Sequence, residues 1–268
     1  MDPLVRRLTS FQCEGALLGA TLDDATGSTG LLIVTGGTEI RIGAHGGLAR
    51  LAAATAAAGY PTLRFDRRGV GDSDGIDPGF AASGPDIAAA VRQLRALKPG
   101  LDRVIGFGLC DGATALALHH CAAGIDGLVL ANPWVVEPDE GLPPPAAIRR
   151  RYVDRLLSLE GWRKLLGGGM DYRAAWRGLR SVVRKRDPGL AAAVAAALGA
   201  GGKPVTVVLA SGDATAIAFA EAFDSPSFAR VRAGAGLISL ASRSHSFASG
   251  DDPDRLATIC IAALARAG

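Results

Sequence analysis

Aromatic side chains are scarce in this chain. Phe, Trp and Tyr make up 5 % of 268 residues, although 49 % of the residues are hydrophobic. A core of stacked rings is excluded. With 36 Gly, and Ala supplying much of the apolar count, the helices must instead pack closely on the layer they cover. Cysteine is scarce too. Cys13, Cys110, Cys121 and Cys260 show no C-x-x-C spacing. That excludes a disulfide framework and suits a reducing, cytoplasmic setting. Of the four His, His119 and His120 are adjacent and face different ways on a helix, so they make no i, i+4 metal pair and read as packing residues. Lys+Arg number 29 and Asp+Glu 26, a balance of +3 that is too small for a nucleic-acid surface. No run of about 20 apolar residues could span a membrane, and no apolar stretch follows the N-terminal Met1 to Arg7 to form a secretory leader. Gly106-x-Gly108 does not continue into a dinucleotide fingerprint and no metal motif is present, so no cofactor is expected. The length suits one large α/β domain carrying an insertion.

What is present centres on Val104–Ile105–Gly106–Phe107–Gly108–Leu109–Cys110–Asp111–Gly112–Ala113. An apolar strand pattern over 104–107 runs into Gly-x-Cys-x-Gly, and a small-residue helical pattern follows over 113–123. This is the strand–turn–helix pattern of a nucleophile elbow, with Cys at its centre. Gly108 and Gly112 are expected to be Gly because strand and helix pass too close for side chains. The thiol should project at the carboxyl end of a central strand and at a helix N-terminus, where the dipole favours thiolate. The backbone N–H of Asp111 would face a developing oxyanion. The plainer reading is a buried structural Cys in a Gly-rich turn.

The remaining elements fall around this centre. Residues 5–22 read as two antiparallel edge strands and 30–34 as a strand buried on both faces. That strand ends in Thr35–Gly36–Gly37–Thr38, where Gly37 or Thr38 offers a second oxyanion N–H; an ordinary strand-to-loop turn is the alternative. A helix over 48–58 follows His45, which either lines the pocket or faces solvent. After a strand at 61–65, Asp66–Arg67–Arg68–Gly69–Val70–Gly71–Asp72–Ser73 reads as a structural turn with internal hydrogen bonds. A helix over 85–97 precedes the elbow, and a buried strand at 127–131 follows its helix. Residues 133–186 hold all three Trp, 12 Lys+Arg and 6 Asp+Glu, so +6 in a chain of +3. We expect a helical lid insertion over 133–203, with the core formed by 1–132 and 204–268. The basic clusters of the insertion are either solvated helix faces or a funnel for an anionic, carrier-linked or phosphorylated acyl donor.

The strand at 203–210 ends in Ser211–Gly212–Asp213. An acid just past a buried strand, after the elbow in chain order, is where a triad carboxylate belongs; a helix cap over 214–223 is the other reading. Asp224, Glu137 and Asp139 are the fallback acids. After a strand at 236–240, His245 stands in a loop before the terminal helix at 254–267. It is the only His downstream of the elbow helix, which suits the base.

Taken together, Thr35–Gly36–Gly37–Thr38, the Asp66 to Ser73 turn, the elbow, Ser211–Gly212–Asp213 and Ser244–His245 resemble the α/β-hydrolase superfamily over essentially the whole chain. More narrowly, Gly108–Leu109–Cys110–Asp111–Gly112–Ala113 resembles the exosortase A system-associated hydrolase 1 group, found in bacteria with exopolysaccharide loci. The resemblance implies an α/β-hydrolase fold, a mostly parallel central sheet flanked by helices, with Cys110 as nucleophile, His245 as base and Asp213 as acid. The expected chemistry is acyl transfer through a thioester on Cys110, with Asp111 and Gly37 or Thr38 holding the oxyanion. The expected partner is a small-molecule acyl substrate. An acyltransferase using the same intermediate, a non-catalytic binding module on this scaffold and a redox-sensitive Cys110 are the rival expectations. One departure from the superfamily stands out: Gly36–Gly37 replaces its usual His-Gly.

Overall fold

A computed structural model describes residues 5–136 and 189–267. The expected insertion falls outside the described residues from 137 to 188, and Glu137 and Asp139 with it.

Eight strands form one sheet. They are β1 (Arg6–Cys13), β2 (Ala16–Asp23), β3 (Thr29–Val34), β4 (Thr62–Phe65), β5 (Arg103–Leu109), β6 (Gly127–Ala131), β7 (Val205–Ala210) and β8 (Gly236–Leu240). Their order across the sheet is β1-β2-β4-β3-β5-β6-β7-β8. β1 and β2 form an antiparallel hairpin whose two turn residues, Glu14 (φ 47°) and Gly15 (φ 84°), both take positive φ, as a tight primed turn requires. β2 joins β4 antiparallel, and from β4 to β8 every pairing is parallel. The element order was readable in the sequence because each inner strand is a short, continuous apolar run buried on both faces.

Among the described residues, the helices of ten residues or more are α1 (Gly47–Ala57), α2 (Gly84–Leu97), α3 (Asp111–Ala123), α4 (Gly189–Gly201), α5 (Ala214–Phe223) and α6 (Asp252–Ala267). Strand residues alternate between two cores. Leu31, Ile33, Ile105 and Phe107 pack with Leu48 and Leu51 of α1 and Leu256, Cys260 and Leu264 of α6. Leu32, Val34 and Val104 face the other way, toward Ile87 and Leu94 of α2, Leu116 of α3, Val194 and Leu198 of α4 and Phe219 of α5. The last stretch of the expected insertion is therefore a helix with core residues. α3 is built almost wholly of small and Leu side chains and is buried around most of its circumference, as a helix wedged between neighbours must be.

The junction of β5 and α3 is tighter than its sequence suggests. The strand continues to Leu109 and the helix begins at Asp111, so Cys110 alone makes the reversal.

Candidate active site

Cys110 has φ 57° and ψ −126°, a region costly for any residue with a Cβ. Hydrogen bonds on both sides hold it there. Its N–H donates to Ala131 O of the neighbouring β6 (3.0 Å), and its carbonyl accepts from Ala113 N (3.1 Å), Thr114 N (3.3 Å) and Trp134 N (3.2 Å). The flanking glycines are required by contact. A Cβ on Gly108 would lie 2.7 Å from the backbone of Ala113, and one on Gly112 would lie 2.6 Å from Thr35 O. The half-buried thiol thus stands at the end of β5 and at the N-terminus of α3.

The candidate acid and base meet it from later strands. Asp213 follows β7 and His245 follows β8, with His245 Nδ1 3.1 Å from Asp213 Oδ2. The same Oδ2 accepts from Thr215 N (3.0 Å) and Ala216 N (3.1 Å), so Asp213 both caps α5 and orients the imidazole. Burial alone would raise the Asp213 carboxyl, but the hydrogen bond and charge of His245, with the two cap N–H groups, hold it below its ordinary value. Hydrogen bonds to Asp213 and to Cys110 outweigh burial at His245 and push it up to about 10. Asp213 thus holds the imidazole of His245, and Cys110 lies near enough to act on that imidazole.

The loop after β3 closes the other side. Gly36 is pressed against the elbow: a Cβ there would lie 2.6 Å from Leu109 O, 2.8 Å from Asp111 Oδ1 and 3.1 Å from Cys110 Cβ. A turn follows, with Glu39 N bonded to Gly36 O (3.0 Å) and Gly37 at φ 53°. Gly37 N–H is engaged by Asp111 Oδ1 at 2.5 Å. Thr38 N–H has no acceptor among the described residues.

Three residues of the site, and the side chain of a fourth, were not recognisable from sequence. Asn132, fully buried with φ 43°, donates to His245 O (2.9 Å) and accepts from Ala210 N (2.9 Å), joining the loop of the base to the strand that carries the acid. Arg67, 1 % exposed, donates to Gly37 O. The side chain of Asp111, as distinct from its N–H, reaches the loop. Glu39 is raised chiefly by burial, opposed by a bond from Ala44 N (2.5 Å) and by the nearby His245, with Asp111 adding to the rise. The one sequence signal was their place at the carboxyl ends of strands.

The other candidates lie elsewhere. His45 is exposed on the loop before α1. His119 bonds Ala81 O (2.9 Å), and His120 is buried with Nδ1 3.0 Å from Ala117 O, both as packing residues. Asp224 ends α5. All four cysteines are free. The Asp66 to Ser73 turn carries the expected internal bonds: Asp66 accepts from Asp72 N (3.1 Å) and Arg41 N (2.5 Å), and Ser73 Oγ donates to Asp66 O (2.7 Å). No group of three His, Cys, Asp or Glu among the described residues is arranged to hold a metal ion, and no described helix is long and apolar enough to cross a membrane.

This strand order, with a strained elbow after the fifth strand and an acid and imidazole after the seventh and eighth, defines a hydrolase of the α/β class. The chain belongs to the alpha/beta hydrolase family, whose model matches residues 42–259. It is similar to the Pyrococcus furiosus esterase PF2001 (15 % identity, TM-score 0.69, covering 98 % of this chain and 91 % of that one). It is also similar to the thioesterase domain from the curacin biosynthetic pathway (16 % identity, TM-score 0.58, 97 % and 99 % covered) and to a hydrolase from Pseudomonas aeruginosa (24 % identity, TM-score 0.57, 96 % and 98 %). A search of curated proteins finds no match.

Proposed function

We propose that this hydrolase cleaves esters or thioesters through a covalent acyl-thioester on Cys110, with His245 as base and Asp213 as its orienting acid. The observation that supports this reading is the His245 imidazole, with Nδ1 3.1 Å from Asp213 Oδ2, lying near the Cys110 elbow. His245 takes the proton of the Cys110 thiol. The thiolate attacks the acyl carbon, and the carbonyl π pair moves onto oxygen. Asp111 N–H at the first turn of α3 holds that oxyanion. Of the two N–H groups of the loop after β3, Thr38 is favoured over Gly37, because Gly37 N–H is already bonded to Asp111 Oδ1. As the C–O or C–S bond breaks, the imidazolium gives its proton to the leaving group. His245 then takes a proton from water, hydroxide adds to the thioester carbonyl, and the Cys110 thiolate departs as the acid is released.

The likeness of the 108–113 segment to the exosortase-associated group puts a small acyl substrate of bacterial exopolysaccharide metabolism first among those to try. The test is intact mass after brief exposure to a panel of activated esters and acyl thioesters, for the native protein and Cys110→Ala. An added acyl mass on the native protein alone, mapped to Cys110, is expected. Acyl transfer to an added alcohol in place of water would reassign it as a transferase. An unmodified Cys110, with every donor, in a protein that still turns those donors over would end the covalent reading.

A further inference from the structure

We propose that Arg67 is a positioning residue of the oxyanion hole, which it serves by holding the Gly37–Thr38 peptide and standing behind it as a buried cation. The proposal rests on the acyl-enzyme reading above.

Three observations carry it. First, Arg67 is the largest fully buried side chain among the described residues, and its Nη2 donates to Gly37 O, 30 residues away in sequence. The carbonyl and amide hydrogen of one trans peptide point to opposite sides. A guanidinium fixed on Gly37 O therefore sets which way Thr38 N–H points, and that N–H has no acceptor among the described residues. Second, the same loop residue is gripped from the elbow side, where Gly37 N–H is bonded to Asp111 Oδ1. Gly37, at φ 53° and with no side chain to pack, has little else to hold it. Third, Nε and Nη1 of Arg67 are buried without a hydrogen-bond partner among the described residues. Burying a charge with open donors is unfavourable, and such an arrangement calls for an explanation. Electrostatics at the site supplies one. The oxyanion of a tetrahedral intermediate bound at Thr38 N–H is a negative charge on the far side of the peptide that Arg67 holds. Arg67 makes no ion pair among the described residues, so its charge is left to act on that region, through a peptide it also polarises.

The structural turn in which Arg67 sits uses its backbone, whose carbonyl accepts from Val70 N (3.0 Å), but not its side chain. The bonds that shape the turn run through Asp66, Asp72 and Ser73, while Arg68 pairs with Asp86 and Glu14. Arg67 alone leaves the turn for the site.

The experiment compares two reactions of Cys110 in the full chain. Acylation by p-nitrophenyl acetate generates an oxyanion. Alkylation by iodoacetamide uses the same thiolate and generates none. Arg67→Gln and Arg67→Lys are made, and both rates are expressed per alkylatable Cys110, so that only folded sites count. In Arg67→Gln we expect acylation to fall about a hundredfold, as loss of an oxyanion donor does, through kcat and not KM, with alkylation within threefold of native. Arg67→Lys, which keeps the charge but not the fork, should recover part of the loss. Equal acylation in Arg67→Gln and native protein overturns the proposal, and so does a parallel loss of both reactions, which marks a packing role. If Arg67→Gln does not fold, Arg67→Lys decides: tenfold slower acylation with unchanged alkylation supports the proposal, and unchanged acylation overturns it. Failure of the underlying reading looks different, since the native protein itself would then take no acyl group on Cys110.

Discussion

Asp213→Asn separates two functions that one oxygen performs. Oδ2 of Asp213 accepts from Thr215 N, Ala216 N and His245 Nδ1 at 3.0–3.1 Å. Asn is as good a helix cap as Asp. The two cap N–H groups should keep the amide oxygen in the Oδ2 position and the NH2 away from His245. The imidazole then keeps its tautomer, and only the negative charge is lost. Where an Asp-to-Asn change also inverts the tautomer, the loss in kcat is roughly ten-thousandfold. Here we expect about a hundredfold, or about 2.7 kcal/mol of barrier. Stability should fall, because both the charge at the helix N-terminus and its contact with the imidazolium are lost. Asp213→Ala removes the cap as well, so it should cost about 1 kcal/mol more in stability and be slower still. The assays are the acylation rate of Cys110 with p-nitrophenyl acetate and urea unfolding of the three proteins. Asp213→Asn acylating within threefold of native, or as slowly as Asp213→Ala, would refute the shared-oxygen argument.

The His245 imidazole should titrate by NMR near pH 10, falling toward 6.5 in Asp213→Asn, and a native value near 6.5 would break the assigned contacts. Because its folded value is raised, its contribution to stability should be complete below pH 6.5 and lost as pH rises through about 10. The lowered carboxyl of Asp213 should do the reverse, contributing above pH 3.8 and failing as pH falls further, and unfolding measured across this range checks both signs. Gly36→Ala places a methyl 2.6 Å from Leu109 O and should lose about 1–3 kcal/mol together with most acylation, measured by thermal unfolding and by the acylation assay. Asn132→Ala strands His245 O and Ala210 N in the interior; it should cost about 2–4 kcal/mol and lower the His245 titration, whereas stability loss with an unmoved titration would show that Asn132 only fills space.

Much of this was legible in the chain because its causes are local. Val104 to Ala113 specifies the elbow through residues in direct succession; Gly108 is fixed by the close pass of α3, whereas Gly112 is fixed by Thr35 O beyond the end of β3. Buried parallel strands announce themselves as apolar runs, and the two-residue reversal at Glu14–Gly15 follows from adjacent residues. Asp213 and His245 could be nominated from chain order, since each follows a strand of known sequence position. The sequence left Asp213 as either a cap or an acid, and the structure makes one oxygen serve both contacts.

What only the tertiary structure decided is how these segments are locked to one another. Asn132 before a proline looks like a turn residue, yet it reaches across 113 positions to His245 O. Arg67, in a charge-rich turn, looks like surface, yet it is buried against Gly37 O. Asp111, chosen for its N–H, also commits its carboxylate to Gly37. Composition and periodicity report which face of an element is buried and where it ends, because those follow from neighbours in sequence. Which polar atom satisfies which, across a sheet whose neighbouring strands are far apart in the chain, depends on the packing that brings them to the same edge.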